Sequence, residues 1–322
     1  MIAVENDITG LHHVGLVAAD MSSAVETYRR LGFTVSAPTY PVLPSAPGAP
    51  PRPVGAANAH IYLRRNFVEL VTIVRADESL PAEAELLPLS VPDDKLPGLL
   101  TAVRTTAANL SDCLDRFPGM HILIFDSPDI DRATTRLRAA DVDHGGVHSI
   151  QRPVHTAEGT RMAATRFLEV NSDEPGAAPG RLPEGRLGIA QNSAVDPHRV
   201  MHANSAIDLI GGVLCVPDDT WGATVKRYEI YLGRAADRTG RTATFDLGDA
   251  SVTVVADSAV SDLIPGLRPP ALPAFVAYQI AVQDITRTAD HLKAAGVSYH
   301  RTRTGKLVVP ADEALGAAII FS

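Results

Sequence analysis

The chain has little of what several function classes need. Its 322 residues include two cysteines, Cys113 and Cys215, far apart and in no metal-binding spacing. They read as small buried apolar residues of a reduced, cytosolic protein. Aromatic residues make up 5 % of the chain, with one Trp, which argues against a platform for stacking bases. Cations are outnumbered, 29 Lys and Arg against 37 Asp and Glu, for a formal net charge of −8. That balance favours solubility and gives no nucleic-acid surface. No apolar run approaches the roughly 20 residues of a membrane span, so no membrane partner is expected. The segment Met1-Ile2-Ala3-Val4-Glu5-Asn6-Asp7 has neither the basic region nor the apolar core of a secretory signal, and the cytoplasm is the default location. There is no glycine-rich phosphate loop, no GxGxxG after a strand, no GxSxG elbow and no HExxH, which disfavours nucleotide-dependent chemistry and serine hydrolysis.

What is present is a repeat. Leu11-His12-His13-Val14-Gly15-Leu16-Val17 reads as a buried strand that ends near a helix-capping Asp20, with His13 on the face of Gly15 and Val17. Met120-His121-Ile122-Leu123-Ile124-Phe125, followed by Asp129, is a second copy. Two further starts, at Gly211 and Ala277, lack the histidine. Each copy runs on into an amphipathic helix, a turn and new strands, so the chain is read as four modules. The length suggests about two domains, with 45 % hydrophobic residues enough for real cores. The expected domains are 1–195 and 196–322, joined by the Gly-, Pro- and Ala-rich stretch 171–197. Prolines make 38–53 a loop or flap, and 75–118 reads as an insertion with possible short helices. Glu69 lies mid-strand in Phe67-Val68-Glu69-Leu70-Val71, where a carboxylate is out of place without a partner. Glu169 shares a face with Thr165 and Phe167 in the second module, as Glu69 does in the first. Neither later module has such a carboxylate. Ala59-His60-Ile61-Tyr62-Leu63 and Phe67 to Val74 read as a hairpin; His60, His144, His148 and His155 read as loop residues, of which His148 and His155 could line the cleft, and His12 reads as structural or at an interface.

The pattern His-Val-Gly-Leu-Val-x-x-Asp, a helix closing on Leu-Gly-Phe and a later Val-Glu-Leu strand resembles the vicinal oxygen chelate superfamily, and more narrowly its glyoxalase-like domain proteins. The resemblance implies an α+β fold of four βαβββ modules paired into two U-shaped mixed β-sheet domains. It also implies a divalent metal ion (Zn, Ni, Co, Mn or Fe(II)) held by His13, Glu69, His121 and Glu169. Two imidazoles and two carboxylates on inward faces are costly to bury unpaired, and one cation satisfies all four. The implied activity is acid–base chemistry of an isomerase, epimerase or lyase on a small oxygenated metabolite, with Glu169, or failing that Glu69, as general base. The alternatives are an Fe(II)-dependent extradiol-type dioxygenase and a non-catalytic protein that sequesters a small molecule. Arg152, Arg161 and Arg166 are candidates to clamp a substrate carboxylate or phosphate. The fold often pairs modules across chains, so a homodimer is among the expected assemblies.

Overall fold

The structure, a computed structural model, describes residues 6–75, 79–89, 91–156, 159–192 and 200–322; of 151–162 only backbone is described. The expected domain boundary falls in 193–199, outside the described residues. The first module comprises β1 (Gly10–Val17), α1 (Met21–Arg30), β2 (Thr39–Pro44), β3 (Pro51–Pro53), β4 (Ala56–Tyr62) and β5 (Phe67–Ile73). After β6 (Glu85–Pro88) and α2 (Leu96–Arg116), the second comprises β7 (Gly119–Asp126), α3 (Ile130–Ala139), β8 (His148–Thr156), β9 (Gly159–Glu169) and β10 (Arg186–Asn192). The third has β11 (Ala206–Val216), α4 (Trp221–Leu232), β12 (Asp237–Thr239), β13 (Thr242–Asp246), β14 (Ser251–Ala256) and a short α5 (Asp257–Leu263). The fourth has β15 (Ala274–Val282), α6 (Ile285–Ala294), β16 (His300–Arg301), β17 (Leu307–Val309) and β18 (Ala318–Phe321).

The capping aspartates do what the sequence suggests. Asp20 accepts from the Ser23 amide at 2.7 Å, Asp129 from Arg132 at 3.1 Å, and Asp284 from Thr286 and Arg287. Each satisfies amides that the first turn leaves open. In every module the last strand lies parallel beside the first: β5 beside β1, β10 beside β7, β14 beside β11, β18 beside β15. First strands then pair antiparallel, β1 with β7 and β11 with β15. The result is two mixed sheets, β3-β2-β4-β5-β1-β7-β10-β9-β8 (with β6 on β2) and β12-β13-β14-β11-β15-β18-β17-β16. The architecture is α+β, as expected.

Three expectations about connections change. The proline-rich 38–53 segment holds the edge strand β3 and, inside it, β2 instead of a bare loop. Proline is tolerated at an edge, where its missing N–H faces no partner. The 75–118 insertion holds the long helix α2, which admits Pro97 because that residue stands in the first turn. The stretch 171–197 contains β10, so the last strand of the second module is β10 and not the strand that ends at Glu169.

Side-chain alternation assigns the faces. Val14, Leu16, Val68, Leu70, Leu123, Phe125, Leu187 and Ile189 enter a core that also takes in Leu214, Val216, Tyr278 and Ile280 of the second sheet. The two halves therefore share one core. On the other face of the first sheet, Val17, Val71, Ile122, Ile124 and Ala190 pack under Leu110 and Cys113 of α2. The second sheet's matching face is plugged by Phe117, Val260 and Ile264.

Candidate functional site

The α2-side face of the first sheet carries its chemistry in two rows that follow from the strand register. One row runs His60, Glu69, Gly15, Ile122, Arg186; the next runs Tyr62, Phe67, His13, Ile124, Gly188, Glu169. Gly15 is required by its neighbour, since a Cβ there would stand 2.8 Å from the Ile122 side chain. Glu69 and His13 are brought together: His13 Nε2 lies 3.8 Å from Glu69 Oε2. His60 approaches the other carboxylate oxygen, Nε2 to Oε1, at 3.9 Å, and Asn58 donates to that same oxygen at 3.3 Å. These imidazoles are too far for direct hydrogen bonds and close enough for ion pairing. The His13 ring stacks on Phe67 with centroids 4.5 Å apart, and its Nδ1 contacts His12 Nδ1 at 2.7 Å. The Glu69 carboxylate is 18 % exposed, so a small molecule can reach it.

The other expected ligands are elsewhere. His121 is fully buried; its Nε2 meets the Phe117 carbonyl at 2.8 Å and its ring packs on Phe117. Burial holds its pKa down to about 4, so the ring is neutral at physiological pH. The register explains the misplacement. Pairing skips His12 in β1 and His121 in β7, so each is the extra residue of a bulge. With Val14 opposite Leu123 at the local twofold, His12 corresponds to His121, and His13 corresponds to Ile122. By the same symmetry Glu69 corresponds to Gly188 and His60 to Glu169. Gly188 admits no side chain, because a Cβ would stand 2.5 Å from the Leu168 carbonyl oxygen. Glu169 instead forms an ion pair with Arg186.

The four residues expected to hold a metal therefore do not fit one shared ion. Two are together, one points into the Phe117 packing and one is committed to a guanidinium. Among the described residues, no three His, Cys, Asp or Glu side chains form a group that could hold a metal.

Of the expected clamp, Arg166 alternates to the helix side of β9 and makes two bonds to Asp131 of α3, at 2.7 and 2.8 Å. The side chains of Arg152 and Arg161 lie outside the described residues. Two residues of the site escaped the sequence reading. His60 lies in the expected hairpin but reads as a loop residue in the sequence; the β4–β5 register across the short Leu63–Asn66 turn places it opposite Glu69. Arg186 falls in the stretch read from the sequence as a connection, where the apolar run Leu187-Gly188-Ile189-Ala190 is the signal for a strand.

A glyoxalase-like domain profile matches residues 11–232, and the chain belongs to that family. A search of curated proteins finds no match. Among solved structures, a hypothetical protein from Staphylococcus aureus superposes with a TM-score of 0.56 at 10 % identity, over 97 % of this chain and 98 % of that one. A variant of 4-hydroxymandelate synthase from Streptomyces coelicolor gives 0.52 at 12 % identity, over 98 % and 92 %. A variant of homoprotocatechuate 2,3-dioxygenase from B. fuscum gives 0.51 at 12 %, over 100 % and 72 %. At these identities the likeness is one of fold alone.

Proposed function

We propose that this glyoxalase-like protein is an enzyme of acid–base type acting on a small oxygenated metabolite, with Glu69 as the base. The observation that carries the reading is a half-buried carboxylate in mid-strand, with an imidazole facing each of its oxygens. A carboxylate so placed is costly to the fold and positioned for proton transfer. Glu69 takes a proton from a carbon next to the substrate carbonyl, and the C–H electron pair moves into the carbonyl to form an enolate. An imidazole N–H, from His13 or His60, donates to the forming oxyanion. Return of a proton to carbon completes an isomerisation or epimerisation, and loss of a β-leaving group completes an elimination. The His12 contact bears on the donor: when His12 donates to His13 Nδ1, the proton of neutral His13 is on Nε2, facing Glu69. Because the expected ligands do not gather on one ion, each step rests on side chains of this chain.

The experiment is solvent-deuterium exchange. The protein is incubated in D2O with a panel of small 2-oxo and 2-hydroxy acids, and NMR reads deuterium entering carbon. Enzyme-dependent exchange that Glu69→Gln slows by about a hundredfold to ten-thousandfold supports the reading. Exchange unaltered in Glu69→Gln removes Glu69 as the base, and tight binding without exchange identifies a sequestering protein.

A further inference from the structure

The two limbs of the site face are chemically unlike, although the fold relates them by symmetry. Where the first limb carries Phe67, the second carries Arg186, and where the first carries Glu69, the second carries a glycine that admits no side chain. Arg186 shares the row of Glu69, three strand steps away, with Gly15 and Ile122 between them. At about 4.8 Å per step the two backbones stand roughly 14 Å apart along the sheet, which leaves room for a small molecule between their side chains. The guanidinium is only partly committed. Nη2 bonds Glu169 and Nε is enclosed by protein, while Nη1 makes no hydrogen bond among the described residues. A guanidinium has five N–H donors, and the edge formed by Nη1 and the second N–H of Nη2 also takes a carboxylate with two parallel bonds.

The surroundings lean the same way. Arg186, Arg181 and Arg116 all lie near Cys113 of α2, whereas the carboxylates paired to this cluster are Glu169 on Arg186 and Asp112 on Arg181. The floor between Glu69 and Arg186 is apolar, with Ile122 in their row and Ile124 in the next. We infer that Arg186 binds the carboxylate of the substrate, so that the substrate is a small oxygenated acid held by its anionic end on β10 while its reacting carbon meets Glu69. This inference rests on the proposed acid–base site and names its substrate class. It also accounts for the missing half of the expected metal set, because the second limb supplies a cation in place of ligands. Glu169 is a positioning residue that fixes the Arg186 fork.

Calorimetric titration with oxalate, a small dianion shaped like an enolised 2-oxo acid, tests the inference without requiring turnover. Its uncharged diamide, oxamide, is the control. Arg186→Met is expected to weaken oxalate binding by about 10- to 100-fold and oxamide binding by less than about twofold. Arg186→Lys keeps the charge without the planar fork, so it is expected to fall between wild type and Met, and it serves if the Met variant is poorly folded. Wild-type protein that does not bind oxalate, or losses that are equal for oxalate and oxamide, would overturn the assignment. Arg186-dependent oxalate binding without deuterium exchange upholds the anion site and refutes the acid–base reading. Exchange that is indifferent to Arg186→Met does the reverse.

Discussion

His121 sits fully buried in neutral form, and its position makes stability depend on pH. Its ordinary pKa near 6.5 applies in the unfolded chain, and the folded value is about 4. The unfolded state therefore binds a proton that the folded state refuses as pH falls through this window. Stability is lost between about pH 6.5 and 4, amounting to about 3 kcal/mol for this residue, and levels off below it. His202, also depressed by burial, acts in the same direction. In His121→Phe the loss over that window is expected to shrink, as read by urea unfolding at pH 7 and pH 4.5, while deuterium exchange stays at the wild-type rate. Loss of exchange in that variant would return His121 to the site. The misplacement of this residue in the sequence reading has a local cause. A doublet, His12-His13, stands against the single His121, and the spacing to Val14 and Leu123 that resolves the match is set by bulges that leave no mark in composition.

At the scale of elements, strand and helix were legible where periodicity and caps were strong, as in β1-α1 and β7-α3 with Asp20 and Asp129. The opposing limb was not legible, because β10 follows a long Gly- and Pro-rich excursion and its partner could not be chosen without the register. Glu69 was recognisable from one strand alone, since a carboxylate amid apolar residues is conspicuous. His60 stands in the hairpin expected from the sequence, but its place opposite Glu69 needed the strand register. The close approach of β1 and β7 yields a stability prediction. Gly15→Ala drives a methyl into Ile122 and is expected to cost about 1–3 kcal/mol in urea unfolding. Ile122→Ala in the same chain is expected to cost less than the sum of the two single changes, because it removes the clash. Simple additivity would show that the strands can part without penalty. The buried Glu184 offers a second check: it accepts from Arg227 at 2.7 and 2.8 Å and from the Tyr228 hydroxyl at 3.0 Å. Arg227→Ala strands that carboxylate, and a destabilisation of about 3–5 kcal/mol is expected, with recovery in Arg227→Ala/Glu184→Gln.

In the whole molecule, the second half acts as a partner in folding. Its site-side face is plugged with apolar residues, and its other face completes the core beneath β1 and β7. Tyr28 of α1 and Tyr278 of β15 meet hydroxyl to hydroxyl at 2.7 Å inside that core, and ion pairs join Arg64 to Asp208 and Arg65 to Asp249 across the halves. Among the described residues no helix is long and apolar enough to cross a membrane. A shared core predicts one cooperative thermal transition, in which the calorimetric and van't Hoff enthalpies agree. Either Tyr28→Phe or Tyr278→Phe alone leaves a buried hydroxyl unpaired, at about 1–3 kcal/mol, and the double variant is expected to recover part of the loss. The most direct test of the account is a crystal structure of the protein soaked with 2-oxobutanoate. The account predicts electron density on the α2 face of the first sheet, with the carboxylate on Arg186 and the carbon next to the ketone within contact of Glu69. Density instead in the cavity of about 530 Å³ beside Asp257, Ser261 and Arg268, with the first sheet bare, would contradict it.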